Sequence, residues 1–461
     1  MNRIRFLFAN WVTKMVTYAL RLVKSGGTSL PGKLALKLYP GILGELSGRF
    51  KVIMITGTNG KTTTSRIAAS MLEQAGIQFV TNKSGANLSS GVISTLVGAL
   101  SLSGKPRVPY ALLETDEAAF RTLAPRLKPE IVIVTNFFRD QLDRYGELYT
   151  TLNNVREGIK GTPSTRLILN ADDSLCASLA DKVPNTVIFF GMADGVYPQT
   201  GTSLNTDAAF CIRCKTKYDY SSVSFGHLGH FNCPACGYER PQAGLECTGI
   251  SSYDSQGSRI EITGPDMQLS VKLSIPGLYN IYNALAGAAL GYTLGLEPKR
   301  IIAALQDFEC GFGRMEAIPV KDKWLKVILV KNPTGFNQVL SYLLTQEGSC
   351  VISFAINDRL ADGTDISWLW DVDFELLSDM QDRVRAFYVS GIRAEDMAVR
   401  LKYAGIRSDR ILMEKSFSLF LNRALSATEE KETCFILPTY TAMLDIRKIL
   451  RKRFGLKEFW K

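Results

Sequence analysis

Histidine is almost missing from this sequence: His227 and His230 are the only two in 461 residues. Chemistry that needs an imidazole anywhere else must borrow it from another chain. None of the nine cysteines sits in a Gly-x-Cys-x-Gly elbow, so nucleophilic catalysis by the usual Cys-His route is not expected of this chain alone. Four cysteines form two close pairs and five stand singly, which is not a secreted disulfide framework and fits the reducing cytoplasm. Acidic residues are absent before Glu45. Long hydrophobic runs are absent too: Arg3, Arg5, Lys14, Arg21 and Lys24 break the apolar N-terminus too often for a membrane span, and no small-residue cleavage site follows it. Two readings of that segment remain, a helix packed on the first domain and a peripheral helix on anionic lipid at the inner face of the membrane.

The remaining composition is that of a globular chain, 46% apolar and 21% charged, long enough for two or three domains. A net charge of +10 suits an anionic partner such as a nucleotide, a phospholipid surface or an acidic substrate. Nucleic acid is not expected, because no aromatic-studded basic stripe occurs.

From residue 51 short apolar runs alternate with helical stretches. Val52–Thr56, Tyr110–Glu114, Ile131–Asn136, Leu167–Asn170 and Val187–Phe190 read as strands, and Thr62–Ala75 as a helix stopped by Gly76. Continuous Val/Ile/Leu runs of this kind belong to a parallel-rich, covered sheet, hence an α/β fold. The pattern breaks near residue 200 and resumes near Leu269, leaving 205–245 as an inserted module. A second α/β alternation follows, with strands expected at 326–330, 350–356, 386–389 and 433–437. The expected organisation is therefore a basic, apolar helical segment at 1–50, a central domain at 51–312 and a C-terminal α/β domain at 313–461.

Gly57-Thr58-Asn59-Gly60-Lys61-Thr62-Thr63 joins a strand to a helix. Glycines there let backbone N–H groups turn toward an anion at a helix N-terminus. Lys61 can reach terminal phosphates and Thr62 can hold Mg²⁺. A Gly-Lys-Thr can arise by chance in a turn, but the strand before and helix after argue for a nucleotide loop.

This shortened loop resembles that of the Mur ligase and folylpolyglutamate synthetase superfamily, and further segments carry the likeness. Glu114-Thr115-Asp116-Glu117 ends a strand where such ligases keep a Mg²⁺-binding glutamate. Thr135-Asn136-Phe137-Phe138-Arg139-Asp140-Gln141-Leu142-Asp143 resembles the family's Thr-Asn-x-x-x-Asp-His-Leu-Asp segment, and Asn170-Ala171-Asp172-Asp173 follows the next strand. Pro276 to Ala286 resembles the block whose second Asn, here Asn283, meets adenine. Gly313-Arg314-Met315-Glu316 resembles the block whose Arg meets the γ-phosphate. The resemblance implies ATP and Mg²⁺, with ATP contacts from 57–63, Asn283 and Arg314 and metal contacts from Thr62 and Glu114. Lys61 and Arg314 would spread the charge that develops on the transferred phosphoryl group. Gln141 stands where the family has a metal-binding histidine, Tyr279 replaces another, and no lysine lies between Phe138 and Gly158 for carbamylation, so a second metal site of the usual kind is not expected.

Cys211-x-x-Cys214 and Cys233-x-x-Cys236, eighteen residues apart, give four thiolates for a closed, structural tetrahedral zinc. His227 and His230 lie between the pairs as alternative ligands.

In the C-terminal half, Asn357-Asp358-Arg359-Leu360-Ala361-Asp362-Gly363-Thr364-Asp365-Ile366-Ser367-Trp368 concentrates acids in one connection. Together with the cysteine module and Pro438-Thr439-Tyr440-Thr441 it resembles the MurT family, ligase subunits of the lipid II isoglutaminyl synthases of Gram-positive bacteria. That resemblance implies amidation of the α-carboxyl of D-isoglutamate in the lipid II stem peptide to D-isoglutamine, through an acyl phosphate. Ammonia would come from a class I glutamine amidotransferase subunit of the GatD type, which would bring Cys and His and contact the C-terminal domain. Asp365 would complete its triad, with Asp358 and Asp362 as competing candidates. An amino-acid-adding Mur or folylpolyglutamate ligase is the alternative, and a scaffold with a degenerate loop is a third reading that Lys61, Glu114 and Arg314 speak against.

Overall fold

The computed structural model describes residues 2–22, 29–82, 86–139, 148–196, 208–254, 257–308 and 316–456. A nine-stranded sheet dominates the first part, in the order β11-β10-β9-β6-β5-β4-β1-β3-β2. Third from one edge is β1 (Lys51–Thr56), whose last five residues are buried. Ile53 and Ile55 point into the core on one face, and Val52 and Met54 into the core on the other, as a strand covered by helices on both sides requires.

β1 lies between β3 (Tyr110–Glu114) and β4 (Ile131–Val134), parallel to both. The chain leaves β1 through α4 (Lys61–Gln74) toward β2 (Phe79–Thr81) and β3 on one side, and later returns to β4 on the other. Strand order therefore reverses at the C-terminal end of β1, where ligands bind in open α/β sheets. β5 (Arg166–Asn170) and β6 (Val187–Met192) continue the parallel series.

One sequence expectation needs correcting here. The sheet does not pause until Leu269: β9 (Leu245–Asp254) pairs with β6, and β10 (Gly257–Gly264) and β11 (Met267–Leu273) extend the edge in antiparallel fashion. Buried and exposed residues alternate along β11, so no continuous apolar run announces these strands. The cysteine-bearing ribbon, with β7 (Asp219–Phe225) and β8 (Leu228–Asn232) as a separate hairpin, is inserted between β6 and β9.

The second sheet has the order β12-β13-β17-β14-β15-β16. Its parallel strands are β13 (Lys323–Val327), β17 (Thr433–Pro438), β14 (Cys350–Ala355), β15 (Val384–Ser390) and β16 (Ile411–Met413), with β12 (Glu316–Val320) antiparallel at the edge. The strand expected at 326–330 begins earlier, at Lys323, and the one expected to reach Asn136 stops at Val134.

Among the described residues three helices precede β1: α1 (Asn2–Leu22), α2 (Leu30–Leu38) and α3 (Ile42–Leu46). Phe6 and Ala9 of α1 sit in the core shared with Val92 and Leu96 of α5 (Ser89–Gly98). Asn10 and Lys14 donate to backbone carbonyls at 98–101, so α1 packs on the first domain. No described helix is long and apolar enough to cross a membrane.

Candidate functional site

The phosphate-loop glycines have no substitute. Gly57 adopts φ +117° and a Cβ there would sit 2.4 Å from Thr135 Oγ1; Gly60 adopts φ +86° and a Cβ would meet Asn283 Oδ1 at 2.2 Å. A clamp from the end of β4 fixes the loop between them. Thr58 N–H donates to Asn136 O and Asn59 N–H to Asn136 Oδ1, both at 2.9 Å, while Thr135 Oγ1–H donates to Asn59 O at 2.7 Å. Asp173 holds the clamp in turn, accepting from Phe137 N–H and capping the short helix Ser174–Ala177. The Thr-Asn and Asn-Ala-Asp-Asp segments are thus parts of one scaffold.

Lys61, the first residue of α4, turns its ammonium onto Gly57 O at 2.5 Å and onto Glu117 Oε1 at 2.8 Å. Glu117 is buried, and burial raises its carboxyl above the ordinary range while Lys61 works in the opposite direction. Sequence reasoning named Glu114 and missed Glu117, which lies within the same quoted motif. Glu114 ends β3, its backbone held on both sides by the Asn82 amide, and its buried side chain lines the same cavity as Thr62. These two oxygen donors fit a hard cation such as Mg²⁺. Asn283, on the helix Leu278–Thr293, accepts from Thr64 Oγ1–H at 3.2 Å and donates to Asn280 Oδ1 at 3.1 Å. Arg314 and Gln141 lie outside the described residues.

The cavity, about 410 Å³, lies between the two sheets. Thr58 to Thr63, Glu114 and Asn283 form one wall, and Lys331, Asn332, Asp362 and Tyr440 face them from the C-terminal half. Asn332 Nδ2–H donates to Asn59 Oδ1 at 3.0 Å, a contact that sequence offers no means to find. The acid-rich connection at 357–373 separates into distinct duties. Asp358 pairs with Arg393 at 2.6 Å. Asp362 is buried and accepts from the Thr441 backbone N–H at 2.7 Å. Asp365 is half-buried, and its Oδ1 accepts from Ser367 N–H at 2.8 Å. Leu360 and Trp370 of the same connection are exposed, and Trp370 meets exposed Tyr403 edge-on at 5.5 Å.

On the ribbon, all four sulfurs of Cys211, Cys214, Cys233 and Cys236 lie within 4.8 Å of one another, with Cys211–Cys236 at 3.6 Å and Cys214–Cys233 at 3.4 Å. A tetrahedral zinc with Zn–S near 2.3 Å sets its sulfurs roughly 3.8 Å apart, so the donor set fits that ion. Neither histidine joins it. His227 is buried against the Phe138 ring with Nε2 3.4 Å from Asp173 Oδ1, and His230 Nε2 meets Met192 O at 2.7 Å. Arg240 ties the ribbon to Asp172 at 2.7 Å, and Asp172 also accepts from Tyr282 Oη–H at 2.6 Å. At the hairpin tip Phe225 stacks on Phe138, centroids 5.7 Å apart, meets Tyr282 edge-on at 5.6 Å and lines the cavity.

Known proteins agree with this layout. The Mur ligase middle domain model matches residues 55–234 and the MurT ligase C-terminal model matches 329–443. The lipid II isoglutaminyl synthase (glutamine-hydrolyzing) subunit MurT of Streptococcus pneumoniae is 34% identical over 93% of this chain and 93% of its own. That of Staphylococcus aureus is 32% identical over 96% and 97%. Among solved structures, a pseudomurein peptide ligase type C from Methanothermus fervidus superposes with a TM-score of 0.66 at 20% identity, over 90% of this chain and 81% of that one. Folylpolyglutamate synthase of Mycobacterium tuberculosis, complexed with ADP and AMPPCP, does so with 0.62 at 12% identity, over 97% and 99%. The structures share the fold, and the near full-length relatives decide the family: the chain belongs to the MurT family of Mur-ligase-like subunits.

Proposed function

We propose that this chain is the ligase subunit of a glutamine-dependent lipid II isoglutaminyl synthase, working at the cytoplasmic face of the membrane. A near full-length match to MurT subunits carries the reading, in a chain whose only two histidines both lie on the ribbon. In the proposed reaction an α-carboxylate oxygen of D-isoglutamate attacks the γ-phosphorus of ATP and ADP leaves. Ammonia then attacks the acyl carbon, phosphate departs, and a proton is lost to give D-isoglutamine.

Lys61 and Arg314 neutralise charge on the transferred phosphoryl group, the loop at 57–63 holds the phosphates at the N-terminus of α4, and Asn283 faces adenine. Thr62 and Glu114 would hold Mg²⁺, which would supply charge neutralisation to the phosphates. Cys211, Cys214, Cys233 and Cys236 would hold a structural zinc. Ammonia comes from a GatD-type glutaminase that docks on the C-terminal domain at 313–461. The exposed Leu360, Trp370 and Tyr403 beside the Asp365 connection suit a partner surface, and Asp365 would orient the partner's imidazole.

Co-expression of the chain with such a glutaminase tests the proposal. The complex should convert a lipid II substrate to its amide with ATP and glutamine, and the chain alone should do so with ATP and ammonium. Turnover that requires a free amino acid and ignores ammonium would replace it with an amino-acid-adding ligase.

A further inference from the structure

Helix α1 is apolar on two opposite faces, and the domain covers only one of them. Phe6, Ala9, Asn10 and Thr13 are buried against the first domain. Ile4, Phe8, Trp11, Met15 and Tyr18 are 75%, 57%, 51%, 72% and 66% exposed. At 3.6 residues per turn these five fall within about 80° of arc, on the side away from the buried set. Leu102, 63% exposed, continues the stripe, since its carbonyl accepts from Trp11 Nε1–H at 2.7 Å. Scattered exposed apolar residues need no explanation, whereas a continuous row of large ones does.

Charge identifies what covers it. The first 50 residues hold eight Lys and Arg against one acid, Glu45, and Glu45 is already paired with Arg49. Arg3 and Arg5 are exposed on the flanks of the stripe, and Lys105 and Arg107 are exposed in the loop that carries Leu102. A second copy seated on the stripe would bring two basic surfaces together. An apolar row rimmed by cations, on a helix too polar to span, suits the headgroup and acyl boundary of an anionic bilayer.

We infer that α1 and the loop at 101–107 form a membrane-docking surface that lays Ile4, Phe8, Trp11, Met15 and Tyr18 into anionic lipid. This rests on the reading above, in which the substrate is lipid-linked, and it names the surface that brings the chain to that substrate. Docking by a face whose far side is fixed to the first domain sets the nucleotide cavity at a constant orientation to the bilayer.

The test is sedimentation of the full chain with vesicles of phosphatidylcholine mixed with phosphatidylglycerol, and with phosphatidylcholine alone. The expected result is binding to the anionic vesicles only, weakened at high salt and about tenfold weaker in the Ile4→Gln/Phe8→Gln/Met15→Gln variant. All three side chains are exposed, so the fold should persist, and an unchanged melting temperature would confirm that it does. Equal binding of variant and parent, binding that ignores lipid charge, or a dimer that the triple variant turns into a monomer would overturn the inference. Failure of the parent to amidate lipid II with ATP and ammonium would instead count against the reaction itself, whatever the vesicles show.

Discussion

Asn332 joins the two halves of the nucleotide cavity: its Nδ2–H donates to Oδ1 of Asn59 at 3.0 Å, across 273 positions of sequence. The same side chain caps the helix Pro333–Leu344, its Oδ1 accepting from Gly335 N–H at 2.9 Å. One amide therefore stabilises a local element with one atom and spans the site with another. Asn332→Ser keeps a capping oxygen but is too short to reach Asn59, whereas Asn332→Ala loses both roles. The serine variant should hold its melting temperature near the parent's while the KM for ATP rises by roughly tenfold, the value of about one hydrogen bond to a buried polar group. The alanine variant should add a stability loss of about 1 kcal/mol. Thermal melts and ATP kinetics on the two variants separate the contributions, and an unaltered KM in both would remove the inter-domain role.

Lys61 stands at the N-terminus of α4 with its ammonium over the loop carbonyls. A fixed cation aimed at charge that develops in the transition state contributes mainly to kcat. Lys61→Ala should lower ATP-dependent amidation by a factor on the order of a hundred or more, with ammonium as well as with glutamine. Undiminished turnover would contradict the assignment of the phosphate loop.

Glu117 gives a pH signature. Burial raises its carboxyl above the ordinary carboxylate range even though Lys61 lies 2.8 Å away. The folded state therefore holds the proton more tightly than the unfolded state does. This group's stabilising contribution is full in acid and is lost as pH rises through the raised folded pKa. Glu117→Gln removes that dependence, so its melting temperature relative to the parent should climb as pH rises above the ordinary carboxylate range. A difference that stays flat, or that falls with pH, would reverse the sign argued here.

One wall of the candidate site was legible in sequence as residues that line a common cavity, and the wall facing it was not. Gly57 and Gly60 announce themselves because positive φ and close approach tolerate nothing else, and the strand before and helix after them set the loop's context. The cysteine pairs were legible for a similar reason, since two short knuckles bring four sulfurs together with little help from the rest of the fold. Glu117 hid beside Glu114 and Asp116 because only the geometry of the strand-to-helix turn assigns the three acids, Asp116 capping α6 (Glu117–Leu127) and Glu117 turning to Lys61. The Asn332–Asn59 contact and the place of Phe225 in the cavity depend on tertiary pairing between distant segments, which leaves no local trace. β9 and β10 escaped because half-buried antiparallel strands alternate polar and apolar residues and never form an apolar run.

The ribbon reaches the nucleotide cavity through Phe225, so a metal held there should matter beyond local folding. The four cysteines bring both knuckles together, and the hairpin between them places Phe225 on Phe138 and Tyr282. The purified chain should carry about one zinc. Cys211→Ser should lower the zinc content and the melting temperature together and raise the KM for ATP several-fold, while Phe225→Ala should raise the KM with zinc retained. Metal-free protein prepared without chelators, with full stability and ordinary ATP kinetics, would refute the zinc assignment.

Asp365 is the last and most specific case. Of the three acids at the head of the 357–373 connection, Asp358 is paired with Arg393 and Asp362 holds the Thr441 backbone from a buried position. Asp365 is half-buried, near exposed Leu360 and Trp370. A Cys-His pair on a partner needs a carboxylate that fixes the imidazole and stabilises its protonated form, and supplying it from this chain would make glutamine hydrolysis depend on assembly. Asp365→Asn should therefore abolish glutamine-dependent amidation in the complex and leave amidation from ammonium intact. Asp362→Asn should instead lower the melting temperature and affect both nitrogen sources, because it loosens a wall of the nucleotide cavity. Asp358→Asn, which breaks only an ion pair with a partly exposed arginine, should change either activity little. If Asp365→Asn keeps its glutaminase activity the shared-triad reading is wrong, and if it loses ammonium-dependent turnover as well, the carboxylate belongs to the ligase site.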